Sequence, residues 1–288
     1  METSELLKKV RQIEIKTRGL SRDIFAGAYH SAFKGRGMTF SEVREYQYGD
    51  DIRSIDWNVT ARFNHPYVKV FEEERELTVM LLIDVSGSCE FGSGKALKQD
   101  VITEISAVLA FSAIQNNDKI GVIFFSDKIE KFIPPKKGRK HILYIIREML
   151  DFKPESRKTD IGVVLRYFTN VMKKRCTAFI ISDWITTDYE NDLMIAGKKH
   201  DMVCLHVYDV RDTDLPAIGW IKLKDAETGE YLLVNTNDRR MLKEYRNNWE
   251  EAREQQKHAL MRSGIDNVYI EASEDCVKAL IGFFKSRK

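Results

Sequence analysis

Four short, continuously apolar runs, each separated from the next by a longer segment, constrain the fold of this chain most strongly. The runs are residues 77–83, 119–125, 176–181 and 202–208. A strand that is apolar on both faces is typical of a parallel sheet covered by helices on both sides. Between the runs the apolar residues have helical spacing instead, in residues 97–112, 142–150 and 161–172. The pattern predicts an α/β fold with a doubly wound, mostly parallel sheet.

The sequence on either side of this alternating region differs from it. Residues 1–76 begin with helical spacing and continue as a β-rich or irregular segment with a strand-like piece at Tyr67–Phe71. Residues 211–288 predict two β pieces, a long helix and a final helix that begins at a Ser273 cap. We therefore expect a small N-terminal appendage over 1–76, a main α/β domain over 77–210, and C-terminal elements over 211–288 that pack on the same domain.

Composition argues against several classes of protein. The 46 Lys and Arg residues nearly balance the 44 Asp and Glu residues, so the net charge of +2 gives no polycationic surface for nonspecific nucleic-acid binding. No apolar stretch approaches the roughly 20 residues that a membrane-spanning helix needs, and the first residues lack the apolar core of a signal peptide. The four cysteines form no CxxC pair. We expect a cytoplasmic protein that neither inserts into membranes nor binds nucleic acid.

Oxygen-bearing side chains follow two of the predicted strands and precede one predicted helix. Asp84, Ser86 and Ser88 come directly after the first strand, Asp183 follows the third strand, and Thr159 stands just before a helix. Ligands of open α/β sheets bind at the carboxyl ends of the strands, so we expect these side chains to converge on one edge. Carboxylates and hydroxyls suit a hard cation such as Mg²⁺ or Mn²⁺. In the alternative interpretation the serines only cap the following helix.

The spacing Asp84-x-Ser86-x-Ser88, together with Thr159 and Asp183, resembles the metal-ion-dependent adhesion site of von Willebrand factor A domains. The resemblance implies that the two serines and the threonine coordinate Mg²⁺ directly and that the two aspartates act mainly through water. It also implies that an acidic group of a protein partner completes the coordination shell.

A run in the N-terminal part resembles the characteristic segment of a bacterial family known as domain of unknown function 58. The run covers residues 40–58 and reads FSEVREYQYGDDIRSIDWN, and Ala61-Arg62 follows it. Its specific part is the spacing from Gly-Asp-Asp to Ile-Asp-Trp. The resemblance implies a von Willebrand factor A-like domain after this segment and a MoxR-type AAA+ ATPase as partner, and it implies no established reaction.

Five charged residues in and after this run have two interpretations. In the structural one, a turn at Gly49 leads into a capped half-turn, and an ion-pair network of Arg53, Asp56 and Arg62 fixes the appendage to the main domain. In the functional one, the charged residues form a partner-binding surface. The interleaved apolar and aromatic residues favour the structural interpretation. The five residues are Asp50, Asp51, Arg53, Asp56 and Arg62.

Three functions remain open at this point. The first is a non-enzymatic, metal-dependent protein-binding module or adaptor that acts with the ATPase, because few anionic ligands leave the cation able to accept a carboxylate from a partner. The second is a Mg²⁺-dependent hydrolase or phosphoryl-transfer enzyme that uses the same site. Against it, Asp84 has no second Asp two positions later and Cys89 has no adjacent His. The third is a metal-free scaffold. We favour the first.

Overall fold

A computed structural model describes residues 37–74, 77–94, 96–186 and 188–287. The chain divides into a small unit, Phe33–Leu77, and a large unit that contains Thr78–Lys288. The N-terminal helix that the sequence predicts lies outside the described residues. None of the helices in the described part of the chain has the length and apolar character that crossing a bilayer requires.

The small unit is a two-stranded antiparallel sheet with a short helix in its connection. Its elements are β1 (Gly37–Glu45), α1 (Trp57–Phe63) and β2 (Tyr67–Glu74). As expected, a turn that includes Gly49, at a φ of +107°, leads into a single 3-10 turn at Ile52–Ser54. The Asp51 carboxylate caps that turn, and the Asp56 carboxylate accepts hydrogen bonds from the first backbone N–H groups of α1.

Ion pairs within the small unit differ from the predicted network. Arg44 pairs with Asp50 at 2.7 Å, and Lys69 pairs with Asp56 at 3.4 Å. Hydrogen bonds from Arg44 hold the pKa of the Asp50 carboxyl below its usual value. The ion-pair partner of Asp56 is therefore Lys69 of strand β2, where the sequence analysis predicted arginine. Among the described side chains, Asp56 has no ion pair with the two arginines that were predicted as its partners, Arg53 and Arg62.

A six-stranded sheet forms the centre of the large unit. Its strands are β3 (Thr78–Asp84), β4 (Lys119–Phe125), β5 (Ile129–Lys136), β6 (Thr177–Ser182), β7 (Asp201–Tyr208) and β10 (Asp266–Glu271). In space they follow the order β10-β7-β6-β3-β4-β5, and all pair in parallel except β5, which is antiparallel to β4. The four apolar runs of the sequence are β3, β4, β6 and β7, so the predicted fold class is confirmed.

Helices cover both faces of this sheet. They are α2 (Lys98–Gln115), α3 (Arg139–Asp151), α4 (Ile161–Val171), α5 (Glu190–Lys199), α6 (Val210–Thr213), α7 (Arg239–Arg262) and α8 (Cys276–Ser286). On one face, Phe168 of α4, Leu193 of α5 and Leu260 of α7 belong to one buried cluster with Met80 and Ile180 of the sheet. The helix α2 contacts α3 and α8 instead and packs on β3, β4 and β7. The sheet is therefore doubly wound.

The C-terminal part contains one element that the sequence analysis missed. β8 (Trp220–Lys224) and β9 (Tyr231–Asn235) form the expected hairpin, and α7 is the expected long helix. β10, however, joins the edge of the central sheet beside β7, so the sheet extends into the C-terminal residues. The predicted Ser273 cap is wrong: the Asp275 side chain accepts the hydrogen bond from Val277 N and caps α8, while Ser273 bonds to Glu271.

Candidate metal site

Asp84 is the last residue of β3, and its carboxylate organises the loop that follows. Its Oδ1 accepts a hydrogen bond from the backbone N–H of Ser86 at 2.9 Å, and its Oδ2 accepts one from the Ser182 hydroxyl at 2.5 Å. β3 and β6 are parallel neighbours, so both residues lie at the carboxyl edge of the sheet. The side chain is 2% exposed. These two bonds hold the carboxylate in a fixed orientation at the predicted edge.

The hydroxyls of Ser86 and Ser88 lie side by side in the loop after β3. Their Oγ atoms are 3.1 Å apart, and both side chains are buried. Adjacent ligands of an octahedral Mg²⁺ with bonds of about 2.1 Å are about 3.0 Å apart, so the spacing of the two oxygens suits such an ion. Between them, Gly87 donates its N–H to the carbonyl of Arg157 at 2.9 Å. A Cβ at Gly87 would lie 2.5 Å from the carbonyl oxygen of Ala226, so only glycine fits without movement.

Two oxygen atoms of the predicted site are buried and have no hydrogen-bond partner among the described residues. They are Thr159 Oγ1 and Asp183 Oδ1. Thr159 stands two residues after Arg157, whose carbonyl bonds to the serine loop, and Asp183 follows β6 directly. Leaving a buried polar group unsatisfied costs about 1–3 kcal/mol, so native structures rarely do so without a reason. Coordination of a cation would give both oxygens a partner.

Burial and the repulsion between neighbouring carboxylates raise pKa values in the cluster. A carboxylate oxygen of Asp84, one of Asp183 and the Sγ of Cys89 lie within 4.8 Å of one another. Burial and the nearby Asp183 carboxylate raise the pKa of Asp84 to about 7. Burial and both carboxylates also raise the pKa of the Cys89 thiol well above its usual value, so this thiol stays protonated. A hard cation prefers oxygen to sulfur, so its donors in this cluster would be the oxygens.

Lys98 is a member of the site that the sequence analysis missed. It is the first residue of α2, its side chain is 1% exposed, and its ammonium lies 2.9 Å from Asp183 Oδ2 and 3.1 Å from Asp212 Oδ2. Burial opposes the charged form, but the attraction of Asp183 and Asp212 outweighs it and raises the pKa of Lys98. The spacing of residues in the helix could have indicated that Lys98 is buried, because it lies on the same helical face as the buried Val101 and Ile105.

The donor set fits a hard divalent cation. When ionised, the three carboxylates of Asp84, Asp183 and Asp212 contribute −3, and the ammonium of Lys98 contributes +1, which leaves −2 for these four groups. A divalent ion would bring that sum to zero, and charges buried without compensation are costly. Ser86, Ser88 and Thr159 supply neutral oxygens, which Mg²⁺ and Mn²⁺ accept.

The five charged residues that were predicted for partner binding belong to the small unit. Two of them cap a 3-10 turn and α1, and a third pairs with Arg44, so each of these three has a local structural role. Their part in partner binding stays a prediction. The residues are Asp50, Asp51, Arg53, Asp56 and Arg62.

The raised pKa of Asp84 makes the stability of the metal-free protein depend on pH. The folded state keeps this carboxyl protonated where the unfolded chain has already released the proton, so the stabilisation is complete below about pH 4 and is lost as pH rises through about 7. From the size of the shift we expect a loss on the order of 3 kcal/mol from this group between pH 5 and pH 8. Denaturant unfolding in EDTA at the two pH values measures it.

Asp84→Asn is the matched control for this measurement, because Asn keeps the acceptor for Ser86 N and cannot ionise. Burial lowers the pKa of His200 and His206 to about 4, and such groups contribute the opposite slope in the acid range. The quantity to compare is therefore the difference between wild type and Asp84→Asn at each pH. A difference that does not change between pH 5 and pH 8 would contradict the assigned ionisation.

Known proteins similar to this chain include uncharacterized bacterial proteins and a solved structure. The uncharacterized protein Rv1480 of Mycobacterium tuberculosis is 28% identical over 232 residues, which are 80% of this chain and 73% of that protein. The uncharacterized protein YeaD of Bacillus subtilis is 26% identical over 109 residues, 38% of this chain and 25% of YeaD. The crystal structure of the conserved hypothetical protein BatB from Bacteroides thetaiotaomicron matches with a TM-score of 0.50 and 16% identity, over 73% of this chain and 98% of that one.

The likeness to BatB at this identity concerns the fold alone, and the large unit has the von Willebrand factor A-like fold that the motif at Asp84 implied. A family model described as "Protein of unknown function DUF58" matches residues 42–257. The match begins in the segment that carries Gly-Asp-Asp and Ile-Asp-Trp and continues through the candidate metal site into α7. Since it covers well over half of the sequence, this chain belongs to the DUF58 family.

Proposed function

We propose that the protein is a metal-dependent protein-binding module whose cation accepts a carboxylate from a partner. The observation that carries the proposal is that two buried oxygens of the predicted site, Thr159 Oγ1 and Asp183 Oδ1, have no hydrogen-bond partner among the described residues, while the Ser86 and Ser88 hydroxyls have the spacing of octahedral ligands. The two serines and Thr159 would hold Mg²⁺ or Mn²⁺, and Asp84 and Asp183 would accept hydrogen bonds from its water ligands. When bound, the ion would supply an electrophilic position for an anionic oxygen.

The chemistry of the described side chains around the cluster supports binding over catalysis. The Cys89 thiol is kept protonated by burial, and the Lys98 ammonium is kept charged by two carboxylates, so neither is an active nucleophile. The amide oxygen of Gln256 accepts a hydrogen bond from Nδ1 of His206 at 2.9 Å. Asp84 has a raised pKa that would suit a base in a hydrolase or phosphoryl-transfer reaction, but both of its oxygens already accept hydrogen bonds, from Ser86 N–H and from the Ser182 hydroxyl.

For the partner, we infer a MoxR-type AAA+ ATPase that presents an acidic residue, and for the location, the cytoplasm. The partner is inferred from the family resemblance of the sequence, and the location from its residue composition. The two oppositely charged sides would attract each other, since a cation on this protein faces a carboxylate on the ATPase. The module would then bring the ATPase to a site of action, or bring a target to the ATPase.

Binding of the purified ATPase to the immobilised full chain tests this proposal. We expect the ATPase to bind in Mg²⁺ and to lose binding in EDTA or to the Asp84→Ala variant. Glu90 is an exposed residue of the same loop, and the control variant Glu90→Ala should still bind. Asp84→Ala should remain folded, because the apolar strands supply the core. Binding that is equal in EDTA, or retained at wild-type affinity by Asp84→Ala, would contradict a metal-bridged contact. No binding in Mg²⁺ would contradict the choice of partner.

A further inference from the structure

A cavity of about 480 Å³ lies beside Asp183 at the carboxyl edge of the central sheet. Its walls are the segment after β6, the end of β7, α6 and the middle of α7. The volume is within the roughly 300–1,000 Å³ of ligand pockets. Five of the lining side chains are aromatic: Trp184, Tyr189, Tyr208, Tyr245 and Trp249.

Trp184 forms the wall of the cavity next to Asp183 in an unusual conformation. Its φ is +61°, a backbone region that a bulky side chain rarely adopts and that costs about 1–3 kcal/mol. Its backbone N–H donates a hydrogen bond to the Ser182 hydroxyl at 2.9 Å, which stabilises the turn. Its ring packs edge-on against Tyr189, with ring centroids 5.5 Å apart. The side chain is 6% exposed. The turn therefore holds a large aromatic ring at the boundary between the metal site and the cavity.

The charged groups at the cavity have partners within the protein. Asp183 and Asp212 both accept hydrogen bonds from Lys98. The guanidinium of Arg253 lies over the ring of Tyr269 at 4.0 Å and over that of Trp249 at 5.2 Å. The two paired carboxylates and the aromatic walls favour an uncharged, flat group, because such a group packs against rings without losing strong hydration.

The cavity adjoins the candidate metal site, since Asp183 belongs to both. Lys98 strengthens the connection, because it bridges Asp183 to Asp212, which also lines the cavity. An extended peptide advances about 3.3 Å per residue. Side chains one or two residues apart can therefore reach two adjoining subsites.

We propose that the cavity receives an aromatic side chain of the partner segment, one or two residues from the carboxylate that reaches the cation. This inference rests on the proposed function and specifies the partner's recognition element as an acidic residue followed or preceded by Trp, Tyr or Phe. The metal would supply an anionic anchor, and the cavity would supply specificity through apolar burial.

Three probes separate the two subsites: N-acetyl-tryptophanamide, the peptide acetyl-Gly-Asp-Gly-Trp-Gly-amide, and the same peptide with Ala in place of Trp. Calorimetry or NMR titration of the full chain in Mg²⁺ should show at least tenfold tighter binding of the Trp peptide than of the Ala peptide. N-acetyl-tryptophanamide should bind more weakly than the Trp peptide and should bind equally in Mg²⁺ and in EDTA, because it reaches the cavity without a carboxylate.

Cavity-filling variants of α7 provide the specific control. Ala252 and Asn248 are exposed and line the cavity, whereas the neighbouring Glu251 does not line it. Ala252→Trp and Asn248→Trp should each abolish the preference for the Trp peptide and keep the Mg²⁺-dependent binding of the Ala peptide, and Glu251→Trp should leave the preference unchanged. Melting temperatures near wild type would show that the variants are folded.

The outcomes distinguish the cavity from the metal. If N-acetyl-tryptophanamide fails to bind, or binds Ala252→Trp and Asn248→Trp as it binds wild type, the inference about the cavity is overturned. If it binds as tightly as the Trp peptide in Mg²⁺, the occupant is a free aromatic molecule and the assignment to a partner segment is overturned. If the cavity variants behave as expected but Mg²⁺ changes no affinity, the proposed function fails while an aromatic subsite stands.

Discussion

Replacing Lys98 with Met is expected to lower the free energy of unfolding of the metal-free protein by about 3–5 kcal/mol. The substitution keeps much of the side-chain volume and removes the cation that lies between Asp183 and Asp212. Asp183 is almost fully buried, so its carboxylate would lose its ion partner in a place where water cannot replace it. Denaturant unfolding in EDTA at neutral pH measures the effect.

Gln99→Met is the matched control for Lys98→Met, because it places the same side chain at the next position of α2, which is only partly buried. We expect a change within about 0.5 kcal/mol there. Saturating Mg²⁺ should restore part of the stability of Lys98→Met, since the ion would supply the missing positive charge. A loss below about 1 kcal/mol in Lys98→Met, or no response to Mg²⁺, would show that Lys98 does not compensate the carboxylates as the structure indicates.

Thr159→Val is expected to weaken Mg²⁺ binding at least tenfold and to leave the metal-free protein as stable as wild type or up to about 1 kcal/mol more stable. The two effects have opposite signs because Thr159 Oγ1 is buried without a hydrogen-bond partner among the described residues. Valine has nearly the same shape, so the metal-free fold loses no protein contact and no longer buries an unsatisfied hydroxyl. With metal present, the variant lacks one ligand.

Thr169→Val, on the helix α4 that follows, is the control for Thr159→Val. Its hydroxyl already donates to the carbonyl of Leu165 at 2.9 Å, and we expect wild-type Mg²⁺ affinity from it. Thermal melts in EDTA and calorimetric titrations with Mg²⁺ give the two quantities for each protein. If Thr159→Val were destabilised and kept its affinity, its hydroxyl would have a structural role instead of a role as ligand.

The central strands could be predicted from the sequence because burial on both faces leaves a continuous apolar run. β3, β6 and β7 begin and end within one residue of the predicted limits, and β4 coincides with its run. The two edge strands of the sheet lack this signal. β5 mixes charged and apolar residues and contains Pro134-Pro135, and β10 has polar residues at both of its ends, so neither strand has a continuous apolar run.

The two aspartates of the site could also be predicted, because the topology fixes the place of a residue at the carboxyl end of a parallel strand. Asp84 and Asp183 are such residues, and the structure puts their carboxylates in one cluster. The ion pairs of Lys98 could not be predicted, because they join residues that are far apart in sequence. Lys98 meets Asp183 across 85 positions and Asp212 across 114, and a lysine in the first turn of a helix is ordinarily solvated.

The most direct test of the central claim is to soak crystals of the protein in Mn²⁺ and to locate the ion by its anomalous scattering. The account predicts one strong peak within about 2–2.5 Å of Ser86 Oγ, Ser88 Oγ and Thr159 Oγ1. That peak should be absent from crystals of the Ser86→Ala/Ser88→Ala/Thr159→Val variant soaked in the same way. No peak at this edge of the sheet at saturating Mn²⁺, or a peak bonded to Cys89 Sγ with the three hydroxyls out of reach, would contradict the claim.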